Sequence, residues 1–167
     1  MNNVLYELTV LSSYSNGLPP NLPEALIVQV KPYISTAEIF LLSQALDLLA
    51  VLLNIAPAIT FPVIEKTLLP ELYQITHSPV VSAAALDSLL IFIDALVNAD
   101  VQIATHLVPN IVLAAEKAPK ADSSPATAAK CIAQVVKSHQ GVAAGTIAEY
   151  SKNVKVREFC QGQFRFQ

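Results

Sequence analysis

The chain has 167 residues, 53% of them hydrophobic and only 14% charged, with four glycines, eleven prolines and no tryptophan. That is the length of one ordinary domain. It is too apolar to be intrinsically disordered, and its net charge of −3 is too small for a nucleic-acid binder acting through bulk charge. The sum hides a polarity: residues 1–100 hold nine acids against Lys31 and Lys66, a net −7, whereas residues 101–167 hold eight bases against four acids, a net +4. Such a distribution orients a charged partner; a solvated face on each half explains it equally well.

In chain order, an apolar helix is predicted over residues 3–13, stopped by "SYSNG" with Gly17 in a terminating position. After "LPPNLP", the string "EALIVQVKPYI" predicts a helix over 24–34 whose last turn is bent by Pro32. "STAE" has the form of a capping box, Ser35 with Glu38 three residues on, and opens a longer helix to about residue 54. The next pair repeats the plan: a helix over 61–76 with Pro70 inside, "HSP", then a helix over 80–98. A third pair begins at residue 101 with "VQIATHLVPNIVLAAEKA", its Pro109 thirty-nine positions after Pro70, and continues through "PKADSSPAT" to "AAKCIAQVVKSH". A last helix over 142–153 has no clear mate, and no strand-like alternation, Asn-Gly hairpin or Gly-rich phosphate loop is found.

The repetition is visible in the letters. "ALDLLAVLLN" at 45–54 returns as "ALDSLLIFID" at 85–94, forty residues on. Two helices per forty residues fall in the window of HEAT and armadillo repeats, and the third short helix of an armadillo unit is not found. The expected fold is therefore all-α, an α-solenoid of HEAT-type helical hairpins: about three full hairpins with a half repeat at each end. Residues 1–156 form the HEAT segment, and residues 157–167, "REFCQGQFRFQ", form a divergent or disordered tail.

Within the long second helices, polar residues recur on one arc. Thr36, Ser43, Asp47 and Asn54 share it on the first, and Asp87, Asp94 and Asn98 on the next, because their spacings nearly complete whole turns. A helix in a stacked array is covered on three sides, so one narrow stripe stays polar. If second helices line a concave face, Ser43, Asp47, Asn54, Asp87, Asp94 and Asn98 are the candidate partner contacts, with Asp47 and Asp87 near one another across packed helices about 10 Å apart. Ordinary solvation accounts for most such residues, since a minority of interface residues carries most of the binding energy.

Chemistry is sparse. His77, His106 and His139 form no metal-ligand spacing and are expected at surfaces or helix ends; no metal and no cofactor is predicted. There is no G-x-S-x-G motif, and Cys131 in "AAKCIAQVV" reads as a small buried apolar residue. Two cysteines in no framework spacing fit a reducing compartment, cytoplasmic and nuclear, and "MNNVLYELTV" has neither a basic leader nor a long apolar core. The apolar run 80–97 contains Asp87 and Asp94, each costing about 2.5–3.5 kcal/mol at a bilayer centre, so a buried helix of a soluble protein is expected there and no membrane partner. The bases from Lys117 to Arg157 are dispersed singly without interleaved aromatics, so no nucleic-acid partner is expected either.

The wording of the repeats carries a resemblance. "LPEALIVQVKPYISTAEIFLLSQALDLLAVLLNIAPA", "SPVVSAAALDSLLIFIDALV" and "AAKCIAQVVKSHQGVAAGTIAEYSKNVK" together resemble later HEAT repeats of the cullin-associated neddylation-dissociated (TATA-binding-protein-interacting) family, over about residues 4–156. The resemblance implies a non-enzymatic scaffold that embraces cullin–RING ubiquitin ligase cores lacking the ubiquitin-like modifier and promotes substrate-receptor exchange, regulating assembly of SCF-type complexes. It implies a cullin–RING core as partner, and remaining repeats of the scaffold supplied by another chain. The alternative function is a HEAT scaffold of another system, a nuclear transport receptor or a phosphatase scaffold, because fold alone does not fix function. A half repeat at each end without a polar cap predicts self-association through uncapped ends.

Overall fold

The computed structural model describes residue 19, residues 21–119 and residues 123–138. The described residues are helical, with no strand among them. They form α1 (Leu22–Val30) running into a 3-10 turn (Lys31–Tyr33), α2 (Ile39–Ile55), α3 (Pro57–Thr67), α4 (Leu69–Ile75), α5 (Ala83–Ala99), a 3-10 turn (Val101–Ile103) leading into α6 (Ala104–Lys117), and α7 (Pro125–Ser138). The helices expected over 3–13 and 142–153, and the tail from residue 157, lie outside the described residues.

Prolines set several of the boundaries. α1, α3 and α4 each carry one in their first two positions, where the missing N–H would have no partner in any case. Pro32 bends the end of the first helix as expected: α geometry stops at Val30 and the chain tightens into the 3-10 turn. The helix expected over 61–76 is instead two. Pro70 inside a continuous helix would have no N–H for the carbonyl of Lys66 and would press its ring against it; the first segment ends at Thr67, Leu68 opens to φ −116°, and α4 restarts with Pro70 in its first turn. Pro109, equally placed in the next pair, stays inside α6, so the two prolines thirty-nine apart do different things.

Several starts differ from expectation: α3 opens at Pro57, four residues before the expected residue 61. α2 begins at Ile39 with Glu38 at its N-cap, and no side chain bonds the cap. Ser35 and Glu38 are therefore not a capping box: buried Ile34 leaves helical geometry at φ −78° and ψ 67°, and the next three residues form a bend before the helix opens. Thr36 consequently lies off α2 and off its polar arc. α5 begins at Ala83 rather than at residue 80, after Ser82 in extended geometry, and Ala83 itself sits at φ 48°. That is the left-handed region, where a Cβ costs about 1–2 kcal/mol.

Helix packing follows the apolar positions. On α2 Leu42, Leu46, Leu49 and Leu53, spaced four, three and four apart, are all buried, as are Leu89, Phe92, Ile93 and Leu96 on α5. α2 packs along α5 and α5 along α7, making one row; α1 packs on α3 and α4 on α6 in the other; α2 with α3, α3 with α5 and α6 with α7 tie the rows together. The buried side chains form one continuous cluster reaching from Ile27 on α1 to Val135 on α7. Each fully buried Leu or Ile in it contributes about 1.5–3 kcal/mol of transfer free energy.

Candidate functional site: the open stripe of α2 and α5

The row α2, α5, α7 is joined by polar bonds between equivalent turns. Ser43, in the second turn of α2, lies 2.8 Å from the hydroxyl of Ser88 in the second turn of α5. Near the far end, Asp94 of α5 accepts from two residues of α7: Gln134 Nε2 at 3.2 Å and Ser138 Oγ at 2.5 Å, both on Oδ1. Its Oδ2 accepts from Asn98 Nδ2 at 3.1 Å. Ser138 has one proton, and its other acceptor, the carbonyl of Gln134, is 2.8 Å away; the shorter, charge-assisted contact takes it. Because each bond links corresponding ends, the three helices run in the same direction.

The six candidate residues divide accordingly. Ser43 and Asp94 are half-buried and hold the row together, and Asn98, exposed, supports Asp94. Asp47, half-buried, and the exposed Asp87 and Asn54 make no side-chain hydrogen bond to another described residue. Among the described residues the recorded ion pair is elsewhere, Lys31 to Glu71 at 3.1 Å, so neither Asp47 nor Asp87 has a described cation within 4 Å. No bond joins Asp47 to Asp87.

Three partners were not singled out by sequence: Ser88, Gln134 and Ser138. A signal existed, since Ser88 stands forty-five residues after Ser43 and Ser138 forty-four after Asp94, close to the repeat length, but it becomes readable only once the facing arcs are known.

Apolar side chains share this face. Ile91 is 55% exposed on α5, with Asp87 one turn before it and Asp94 three residues after it. Asp47 lies one turn beyond Ser43 as Ile91 lies beyond Ser88, so in parallel helices an acid of α2 stands level with it. Phe40, 58% exposed, opens the same arc of α2. On α7 Lys130 and Lys137 are exposed. Chemically, this is a face of exposed apolar side chains edged by carboxylates.

Elsewhere, burial decides the chemistry. His77 sits at a helix end, just past α4, but it is buried there rather than exposed, and neither ring nitrogen has a partner among the described residues. Its backbone carbonyl is taken by the N–H of Ser124, which pins the loop before α7 to the end of α4. His106 is exposed as expected, and His139 lies outside the described residues. Cys131 is buried, and burial pushes its thiol from 9.0 up to about 12. Burial likewise raises the Tyr73 hydroxyl, against the opposing effect of Asn110 beside it. A groove of about 470 Å³ runs between the turn after α1 and the segment 74–80, lined by Ile34, Thr36, Glu71, Gln74 and Val80 among others; no stripe residue lines it. Among the described residues no group of three His, Cys, Asp or Glu side chains is placed to hold a metal ion, and no described helix is long and apolar enough to cross a membrane.

No protein-family model and no curated protein matches this chain.

Proposed function

We propose that this chain is a non-enzymatic HEAT-type scaffold segment that binds cullin–RING ubiquitin ligase cores lacking the ubiquitin-like modifier and takes part in substrate-receptor exchange. On this reading the hairpins are α1 with α2, α3 and α4 with α5, and α6 with α7, in the order in which the helices follow one another. The observation that carries the scaffold reading is the row α2, α5, α7, in which each hairpin adds to the last through equivalent turns, Ser43 to Ser88 and then Asp94 to Gln134 and Ser138. Stacking of that kind leaves one stripe of each row helix open to a partner. The ligase reading is supported by the repeat wording alone, "SPVVSAAALDSLLIFIDALV" above all.

On this reading Asp47, Asp87 and Ile91 contact the partner, Asn54 lies at the margin, and Ser43, Asp94 and Asn98 position the helices that present them. The protein meets a cullin–RING core together with the remaining repeats of its scaffold, in cytoplasm and nucleus. The test is capture of a purified unmodified cullin–RING core by the full chain, with the modifier-conjugated core alongside. Selective capture of the unmodified core is expected. Equal capture of both would mean adhesion through exposed apolar surface, and capture of neither would move the chain to another HEAT scaffold system.

A further inference from the structure

The face of α2 and α5 that carries Phe40 and Ile91 has no partner among the described residues, and the chain itself holds a segment of opposite charge. Around Ile91 stand Asp47, Asp87 and Asp94, of which the first two have no described cation nearby. An exposed apolar side chain inside a rim of acids fits a segment that is basic and aromatic at once. Residues 152–167, "KNVKVREFCQGQFRFQ", have that composition: Lys152, Lys155, Arg157 and Arg165 against Glu158, with Phe159, Phe164 and Phe166 between them. The lopsided charge of the two halves of the sequence is thereby given a use.

The exit point of the chain favours this occupant. α7 ends at Ser138, and Ser138 is bonded to Asp94, so the polypeptide leaves the described fold at the edge of the face. Seventeen residues separate Ser138 from Lys155, and with the helix expected over 142–153 they still reach about 35 Å. The far side of the face, on α2, is two helix spacings away, about 20 Å. Length is therefore no obstacle.

We propose that the basic, aromatic segment 152–167 docks in the same molecule on the α2 and α5 face, over Ile91 and between Asp47 and Asp87. The proposal goes beyond the ligase reading and does not depend on it; where the face also takes a partner protein, the segment competes with it.

The cysteines supply the test. Cys131 is buried, whereas Cys160 lies within the segment, so a nitroxide on Cys160 of the Cys131→Ala full-length chain reports where the segment goes. Amide signals of α2 and α5 are then compared with the label oxidised and reduced. The proposal predicts selective loss of signal at Phe40, Asp47, Asp87 and Ile91. It also predicts that Lys155→Glu with Arg157→Glu lowers the docked-to-free ratio roughly two- to fivefold per reversed pair, the scale of exposed ion pairs. Adding Asp47→Lys with Asp87→Lys to that variant restores the loss. Signal loss that avoids the face overturns the proposal, as does loss unaffected by charge reversal. So does loss seen only when labelled and isotope-enriched chains are mixed, which makes a second copy the occupant.

Discussion

Removing the carboxylate of Asp94, as in Asp94→Ala, severs the polar join between α5 and α7. The side chain accepts two bonds across the interface, from Gln134 and Ser138, and one within its own helix, from Asn98. Bonds to a charged acceptor contribute about 1.5–3 kcal/mol when fully buried, but all three interface residues are half-buried and water replaces part of each loss. Taking about 0.5–1 kcal/mol for each interhelix bond, the substitution costs about 1–2 kcal/mol and lowers Tm by roughly 2–8 °C. Urea unfolding followed by far-ultraviolet circular dichroism gives the number, with the slope against urea unchanged. Asp87→Ala is the control, since it removes an exposed carboxylate two turns earlier on the same helix and should stay within about 0.5 kcal/mol. A double-mutant cycle of Asp94→Ala with Ser138→Ala should show a coupling of about 0.5–1 kcal/mol. Equal effects of Asp94→Ala and Asp87→Ala, or a coupling of zero, would refute the reasoning.

Three further substitutions test other features. Ala83→Gly relieves the left-handed φ of 48° and should raise stability by about 1 kcal/mol in the same urea assay; a loss of stability would show that Ala83 is unstrained. His77→Leu replaces a buried ring without described partners by an apolar side chain and should be neutral or stabilising by up to about 1 kcal/mol, whereas a loss above about 2 kcal/mol would mean that the ring nitrogens are bonded. Cys131 should resist thiol reagents in the folded Cys160→Ser chain and react only on unfolding, as read by the kinetics of labelling. The raised thiol value also has a sign: above about pH 9 the unfolded chain gives up this proton and the folded chain keeps it, so stability falls with pH until about 12, by at most about 1.4 kcal/mol per pH unit. Cys131→Ala should lack that component, measured as the difference in urea midpoint between the two proteins across that window.

The all-helical character and the two long helices α2 and α5 were legible because the apolar spacing of three and four is written densely into "ALDLLAVLLN" and "ALDSLLIFID". The polar arc was legible in part: Ser43, Asp47, Asn54, Asp87, Asp94 and Asn98 fall on the less buried sides of α2 and α5, whereas Thr36 lies before the helix begins. Division of that arc into residues that join helices and residues left open was not legible, because it depends on which way each helix is rolled against its neighbour. The capping box at Ser35 failed for a similar reason: burial of Ile34 outweighs a cap contributing about 1 kcal/mol, and the helix starts four residues later. The helix-end position of His77 was legible, but its burial was not. Its burial follows from the packing of the loop before α7 onto it, a contact forty-seven residues away in sequence.

Protein binding by the open stripe of α2 and α5 can be measured on the intact chain. Its most direct test is the affinity of an unmodified cullin–RING core for the full chain and for the folded variant carrying Asp47→Ala and Asp87→Ala, measured by interferometry. Binding by the wild-type chain is expected, with roughly three- to tenfold weaker binding by the variant, the scale of losing two exposed charge contacts. Identical affinities for the two proteins, or no binding by either, would contradict it.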